Sequence, residues 1–171
     1  MSGLNFGMSF GFQSKTNDGS SLYGNYGSFS SSITQNFTIN DITKLTLNTT
    51  ELSNGVTIDV TKIQVVNAGV YNIQFSAQLN HTTGGLAVVT LWLRKNGLDV
   101  PRTSTDITIT GNNTKTVMAW NFVDLADAND YYELVVSATD EHCQIYSDGA
   151  RINPIRPALP SLIVTVTQCN M

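Results

Sequence analysis

The sequence predicts an all-β protein, a ten-stranded, two-sheet jelly-roll sandwich with an extended N-terminal arm. Three observations carry that prediction. Apolar residues recur with a period of two, most clearly where Tyr71, Ile73, Phe75, Ala77 and Leu79 alternate with Asn72, Gln74, Ser76 and Gln78. Turn dipeptides such as Asn54-Gly55, Asn96-Gly97 and Asp148-Gly149 cut the chain at short intervals. No segment shows the amphipathic period of a helix, so the crossovers that a parallel α/β sheet needs are missing. Only 13% of the 171 residues are charged, and Thr, Asn and Ser are abundant, which suits broad sheets better than helices.

Taken in order, the first 21 residues stand apart from the rest. Leu4, Phe6, Met8, Phe10 and Phe12 alternate with small or polar residues, which is a strand pattern interleaved with glycine. Residues 13–21 read as a polar linker with a turn at Asn17-Asp18-Gly19. The domain proper, residues 22–171, opens with a long polar-aromatic strand from Tyr26 to Phe37. Strands are expected next at Lys44–Thr49, Val56–Val60 and Ile63–Val66. Gly69 then opens the clearest strand, and Leu86 to Lys95 runs up to the Asn96-Gly97 hairpin signal. Ile107 and Ile109 mark another strand, followed by Lys115–Asp124, Tyr131–Ala138 and the short Gln144–Ser147. Pro154, Pro157 and Pro160 hold an extended loop that delivers the last strand, Ser161–Gln168. The expected core comprises Tyr71, Ile73, Phe75, Leu91, Leu93, Leu134 and Val164.

Several of these segments are specific in order and spacing. The run Gly69, Val70, Tyr71 leading to Phe75 resembles the strand of Gly, hydrophobe, Tyr and further aromatic in the tumour necrosis factor and complement globular-head superfamily. Trp92 to Gly97 resembles that superfamily's strand ending in Lys-Asn-Gly. Leu125 to Leu134 is similar to its Gly-Asp segment, with Asn129 standing where Gly is usual, a substitution that an αL-tolerant residue permits. Leu162 to Val166 is similar to its closing strand. The resemblance spans Leu22 to Gln168. Tyr26–Phe29, Asn48–Val56 and Ala119–Phe122 make it most similar to the versions on bacteriophage and large-virus particles. It implies a compact homotrimer, with the sheet that holds Asn72, Gln74, Ser76 and Gln78 facing the trimer axis. That polar row, with Trp120, is the candidate trimer interface. Buried amides there would have to pair between subunits and so fix their register.

The functional expectation is a structural virion protein, either a head-decoration subunit or a small fibre or spike head, at the particle surface. Leu4, Phe6, Met8, Phe10 and Phe12 form a candidate docking arm that adds as a strand to a capsid protein, a portal-region protein or another virion partner. The second function class is a head that recognises host-surface carbohydrate through its loops. Nucleic acid is disfavoured by a net charge of −4 with only nine scattered Lys and Arg. No apolar run approaches the roughly 20 residues of a membrane span, so membrane insertion is not expected. The start of the sequence lacks the pattern of a secretory signal, and synthesis in the host cytoplasm is expected.

An enzyme is not expected, and no cofactor is. His81 and His142 are the two histidines, and neither has a partner at a spacing that marks a site. Asp124, Asp127 and Asp130, like Asp140, Glu141 and Asp148, read as solvated turns rather than a calcium site. Trp92, Trp120, Tyr131 and Tyr132 fall inside strands, which favours packing over a sugar platform. Cys143 and Cys169 read as two partly buried thiols. The sequons at Asn36, Asn48, Asn80 and Asn112 are assigned no role.

Overall fold

The alternating segments become strands in the computed structural model of the chain, which describes residues 24–169. They are β1 (Tyr26–Ser31), β2 (Gln35–Asn36), β3 (Thr43–Lys44), β4 (Thr49–Asn54), β5 (Val56–Asp59) and β6 (Lys62–Val65). Next come β7 (Gly69–His81), β8 (Leu86–Lys95), β9 (Leu98–Asp99), β10 (Thr105–Thr110), β11 (Thr114–Ala126) and β12 (Tyr131–Ala138). The chain closes with β13 (Cys143–Ile145), β14 (Arg151–Ile152), β15 (Ile155–Arg156) and β16 (Leu162–Gln168).

One seven-stranded sheet runs β2-β13-β7-β16-β1-β4, with β11 along the other side of β7. The second runs β10-β8-β12-β6-β5, with β3 against β12 and β9 against β8. The sheets pack face to face as the jelly-roll sandwich that the sequence predicts. Ten strands have four or more residues; the other six are pairings of two or three residues, too short to leave a period in the sequence.

The alternation on β7 decides which face each sheet buries. Tyr71, Ile73, Phe75, Ala77 and Leu79 point inward and are fully or nearly fully buried. Leu91, Leu93, Leu134 and Val164 meet them, so all seven expected core residues lie in the core. Phe75 stacks on Phe122 of β11 with ring centroids 5.9 Å apart. The two glycine turns that matter most follow their chemistry. Asn96 and Gly97 adopt φ of 52° and 81° between β8 and β9, and Gly55 adopts 66° between β4 and β5. A Cβ on Gly55 would come 2.1 Å from Oδ1 of Asn25.

Three expected elements differ. The strand expected over Tyr26–Phe37 breaks after Ser31, and its remainder crosses to pair with β13. Lys44–Thr49 is only partly a strand. Leu45 and Leu47 are both buried, but their amides bond singly to Leu134 and Val60, so the alternation reports burial without a continuous ladder. The proline-containing loop before β16 carries a hairpin of its own, β14–β15, whose turn residues Asn153 and Pro154 are joined by a cis peptide bond.

The two ends of the sandwich differ. Where β7 begins and β16 finishes, Asn25 is buried in a polar knot. Its Nδ2 donates to Tyr71 Oη at 2.8 Å, and Tyr71 Oη donates to the carbonyl of Asn67 at 2.8 Å. At the opposite end, where β7 finishes, lie His81, the β12–β13 connection and the β14–β15 hairpin.

Candidate functional site

The polar row forms one surface. Asn72, Gln74, Ser76 and Gln78 alternate with core residues, so they lie on the outer face of the first sheet, partly or fully exposed. Register extends the surface on both sides. Val123, Asn121, Ala119 and Val117 of β11 stand opposite Asn72, Gln74, Ser76 and Gln78 in turn. Thr167, Thr165 and Ile163 of β16 stand opposite Asn72, Gln74 and Ser76 from the other flank, and Tyr26, Ser28 and Ser30 of β1 continue it. Val117, Val123, Leu125 and Ile163 are exposed by 50%, 62%, 68% and 39%. The Oδ1 atom of Asn72 is buried without a hydrogen-bond partner among the described residues.

Among the described residues, no charged residue occupies this face between Lys115, opposite Asn80 of β7, and Glu51, level with the middle of β7. The outer face of the second sheet is the opposite case. There Arg94 meets Asp99, Lys62 lies 4.6 Å over the Tyr131 ring, and Lys44 Nζ bonds the fully buried Glu133 at 2.9 Å. Trp92 donates Nε1–H to Asp99 at 2.7 Å, and Arg94, then Trp92, hold the Asp99 carboxyl below the usual range. Charged side chains hydrate well and resist burial, so the uncharged face is the one suited to cover by another chain.

Trp120 is not part of the row. It stands opposite Phe75, a core residue, so it belongs to the inward side of β11. Because β11 is an edge strand, its indole reaches the open side of the sandwich and remains 57% exposed. It borders a cleft of about 340 Å³ with Arg102, Thr103 and Asp124. The structure therefore separates the candidate interface into a face and an adjoining edge. Tyr132, in contrast, is fully buried, and Tyr131 and Trp92 lie on the second sheet's outer side, so the four aromatic residues do not meet as a platform.

Asp124, Asp130, Asp140 and Asp148 are engaged by protein groups. Asp124 and Asp130 converge on Lys95 Nζ at 3.2 and 3.1 Å, where an ammonium already sits between them. Partial burial opposes that charge, but hydrogen bonds to Asp130 and Asp124 outweigh it and raise the Lys95 pKa. Burial, then a 2.8 Å hydrogen bond to Asp124, pushes the Tyr132 phenol up. The Asn96 amide is the main cause that lowers Asp130.

Spacing in the sequence missed one constellation. Asp140 joins both histidines, His142 through Nδ1 at 2.9 Å and the buried His81 through Nε2 at 3.2 Å. The His142 amide and ring, then His81, bring Asp140 down to about 2. An ionised carboxylate only accepts, so His81 donates from Nε2, and its Nδ1 is buried without a partner among the described residues. His142 two positions after Asp140 was the one visible signal; His81 arrives only because β13 pairs with the end of β7. Cys143, beside His81, is buried and its thiol is pushed up to about 11 by burial, which makes it a poor nucleophile. Cys169 is exposed, so of the two thiols one is fully buried and the other is not. Leu4, Phe6, Met8, Phe10 and Phe12 lie outside the described residues.

No family model matches the chain, and no curated protein is detectably similar to it. Solved structures are. Murine APRIL at pH 5.0 superposes with a TM-score of 0.52 at 10% identity, over 85% of this chain and 99% of that one. The same murine protein at pH 8.5 gives 0.51 at 10% identity, over 84% and 98%. The globular domain of zebrafish complement 1qA protein gives 0.54 at 14% identity, over 86% and 98%. The fold is thus the jelly roll of tumour necrosis factor-like and complement globular heads. Identities this low carry the fold and nothing narrower.

Proposed function

We propose that this protein is a non-catalytic, homotrimeric head domain that serves as a structural component of a virus particle. The observation that carries the trimer is the outer face of the first sheet. It is broad and uncharged with exposed Val117, Val123, Leu125 and Ile163, whereas the second sheet's outer face is lined with ion pairs. Asn72, Gln74, Ser76 and Gln78 supply hydrogen-bonding groups on that face, and Trp120 supplies a large apolar anchor at its edge. The fold likeness supports a head that works by contact, and the Cys143 thiol beside the His81–Asp140–His142 group is a poor nucleophile.

The virion assignment rests on the sequence resemblance at Tyr26–Phe29, Asn48–Val56 and Ala119–Phe122, and on the apolar period-two arm at residues 1–12. In this reading Leu4, Phe6, Met8, Phe10 and Phe12 dock the trimer onto a capsid or portal-region protein. Sedimentation of the full chain at micromolar concentration is expected to give a trimer; a monomer refutes the assembly. Protein lacking residues 1–20 is expected to remain a folded trimer and to lose attachment to particles. Attachment with unchanged affinity refutes the arm's role.

A further inference from the structure

Asn-Gly occurs twice in the chain, at Asn54-Gly55 and Asn96-Gly97, and every other asparagine is followed by a residue with a side chain. Glycine leaves the nitrogen after an asparagine unshielded, so that nitrogen can attack the asparagine's own carboxamide. The two sites are alike in sequence, and both asparagines are exposed. The structure separates them. Asn96 is pinned at both ends of its carboxamide: Nδ2 donates to Asp130 Oδ1 at 2.8 Å, and Oδ1 accepts the Tyr131 amide at 3.0 Å. Its Cγ cannot swing onto the Gly97 nitrogen without breaking both bonds, and Asp130 is itself held by Lys95. Asn54 is the last residue of β4, and its side chain meets no hydrogen-bond partner among the described residues. Gly55, which follows, is the corner where the chain leaves the first sheet for the second.

Register places Asn54 where a charge would count. It stands opposite Tyr26, Tyr26 opposite Thr167, Thr167 opposite Asn72, and Asn72 opposite Val123. One row across the first sheet thus runs from Asn54 at the β4 margin to Val123 at the β11 margin, on the uncharged outer face. Leu52, 54% exposed and opposite Ser28, continues that face beside Asn54.

We propose that Asn54 is a site of spontaneous deamidation, and that its conversion places a carboxylate on the face through which the subunits join. The Gly55 nitrogen bonds to Cγ of Asn54 as the Cγ–Nδ2 bond breaks, and Nδ2 departs as ammonia with the proton of that nitrogen. Solvent water then opens the cyclic imide at one or other carbonyl and leaves aspartate or isoaspartate at position 54. No oxidant or reductant takes part, and a neutral amide becomes a negative charge. That charge must be desolvated on association. The chemistry stands on the single chain. Its consequence rests on the homotrimer reading: subunits left unassembled lose their capacity to assemble as they age.

For the test, the full chain is incubated folded in mildly alkaline buffer and digested, and its peptides are analysed by mass spectrometry. Position 54 is expected to gain the mass of amide-to-acid conversion on the order of tenfold faster than position 96. In denaturant, where Asp130 and Tyr131 no longer hold Asn96, the two are expected to convert at like rates. Equal rates in the folded chain, or faster conversion at position 96, overturn the site. Asn54→Asp is expected to keep its circular dichroism and to raise the concentration of half-dissociation by about fivefold or more in sedimentation. Asn54→Gln is expected to assemble as the wild type does, and to keep doing so after incubation. Assembly of Asn54→Asp as tight as that of the wild type overturns the effect on the subunit face. A wild-type monomer overturns the homotrimer reading instead, and the conversion rates still decide the site.

Discussion

Tyr71 illustrates how a single residue couples the core to the polar end of the sandwich. Its ring is buried between the sheets, while its hydroxyl receives the Asn25 amide and donates to the Asn67 carbonyl. Asn67 Nδ2 closes the circuit by donating to Asn25 Oδ1 at 3.2 Å. Tyr71→Phe keeps the ring and strands a buried donor and acceptor, so it is expected to cost about 1–3 kcal/mol in urea unfolding. Unchanged stability would show that the knot is solvated. Asp140 governs pH dependence at the other end. Its carboxyl titrates at about 2 in the folded chain, below the roughly 3.9 of an unfolded aspartate. A depressed carboxyl stabilises the fold above the unfolded value and loses that contribution as pH falls toward the folded one. The stability profile between about pH 4 and pH 2 is therefore expected to flatten in Asp140→Asn, and the wild-type Asp140 signal to titrate near 2 by NMR.

At the scale of elements, the hairpin joining β5 and β6 carries strain. Val60, at its turn, adopts φ of 52°, a conformation that a β-branched side chain disfavours, and its side chain is 62% exposed. Its carbonyl accepts the Leu47 amide at 2.8 Å, which holds the irregular Leu45–Leu47 segment against the sheet. Val60→Gly removes the strain, loses little burial and leaves that carbonyl in place. Thermal unfolding is expected to show a gain of about 1 kcal/mol, after allowance for the entropy that glycine adds to the unfolded chain. A loss instead would mean that the side chain packs on something the single chain does not contain. The β8–β9 turn shows the unstrained alternative, where Asn96 and Gly97 accept the same region of φ at little cost.

For the whole molecule, the difference between the two outer faces is the property on which the proposed assembly rests. A charge placed in the uncharged face leaves the monomer's core untouched but must be desolvated on association. Val123→Asp is therefore expected to shift sedimentation from trimer to monomer while the circular dichroism and melting of the monomer remain those of a folded jelly roll. Retention of the trimer would move the interface elsewhere. The Lys95 cluster acts on the same scale in the opposite sense. It ties Lys95 of β8 to Asp124 of β11 and so staples one sheet to the other.

The sequence by itself determined the sandwich and its core. A period of two needs only neighbours along the strand, so Tyr71, Ile73 and Phe75 declare their inward face without reference to any partner. The same parity placed Asn72, Gln74, Ser76 and Gln78 together on the outer face, and local φ preferences placed the turn at Asn96-Gly97. Tertiary structure decided what depends on which strands lie at edges and ends. Trp120 has inward parity yet stands in solvent because no strand among the described residues pairs with the far side of β11. His81 meets Asp140 across 59 residues because β13 docks on the last turn of β7's ladder. The isoleucine hairpin hid in a proline-containing loop because Asp148 holds Arg151 and Arg156 by charge, and ion pairs across a turn leave no hydrophobic period to read.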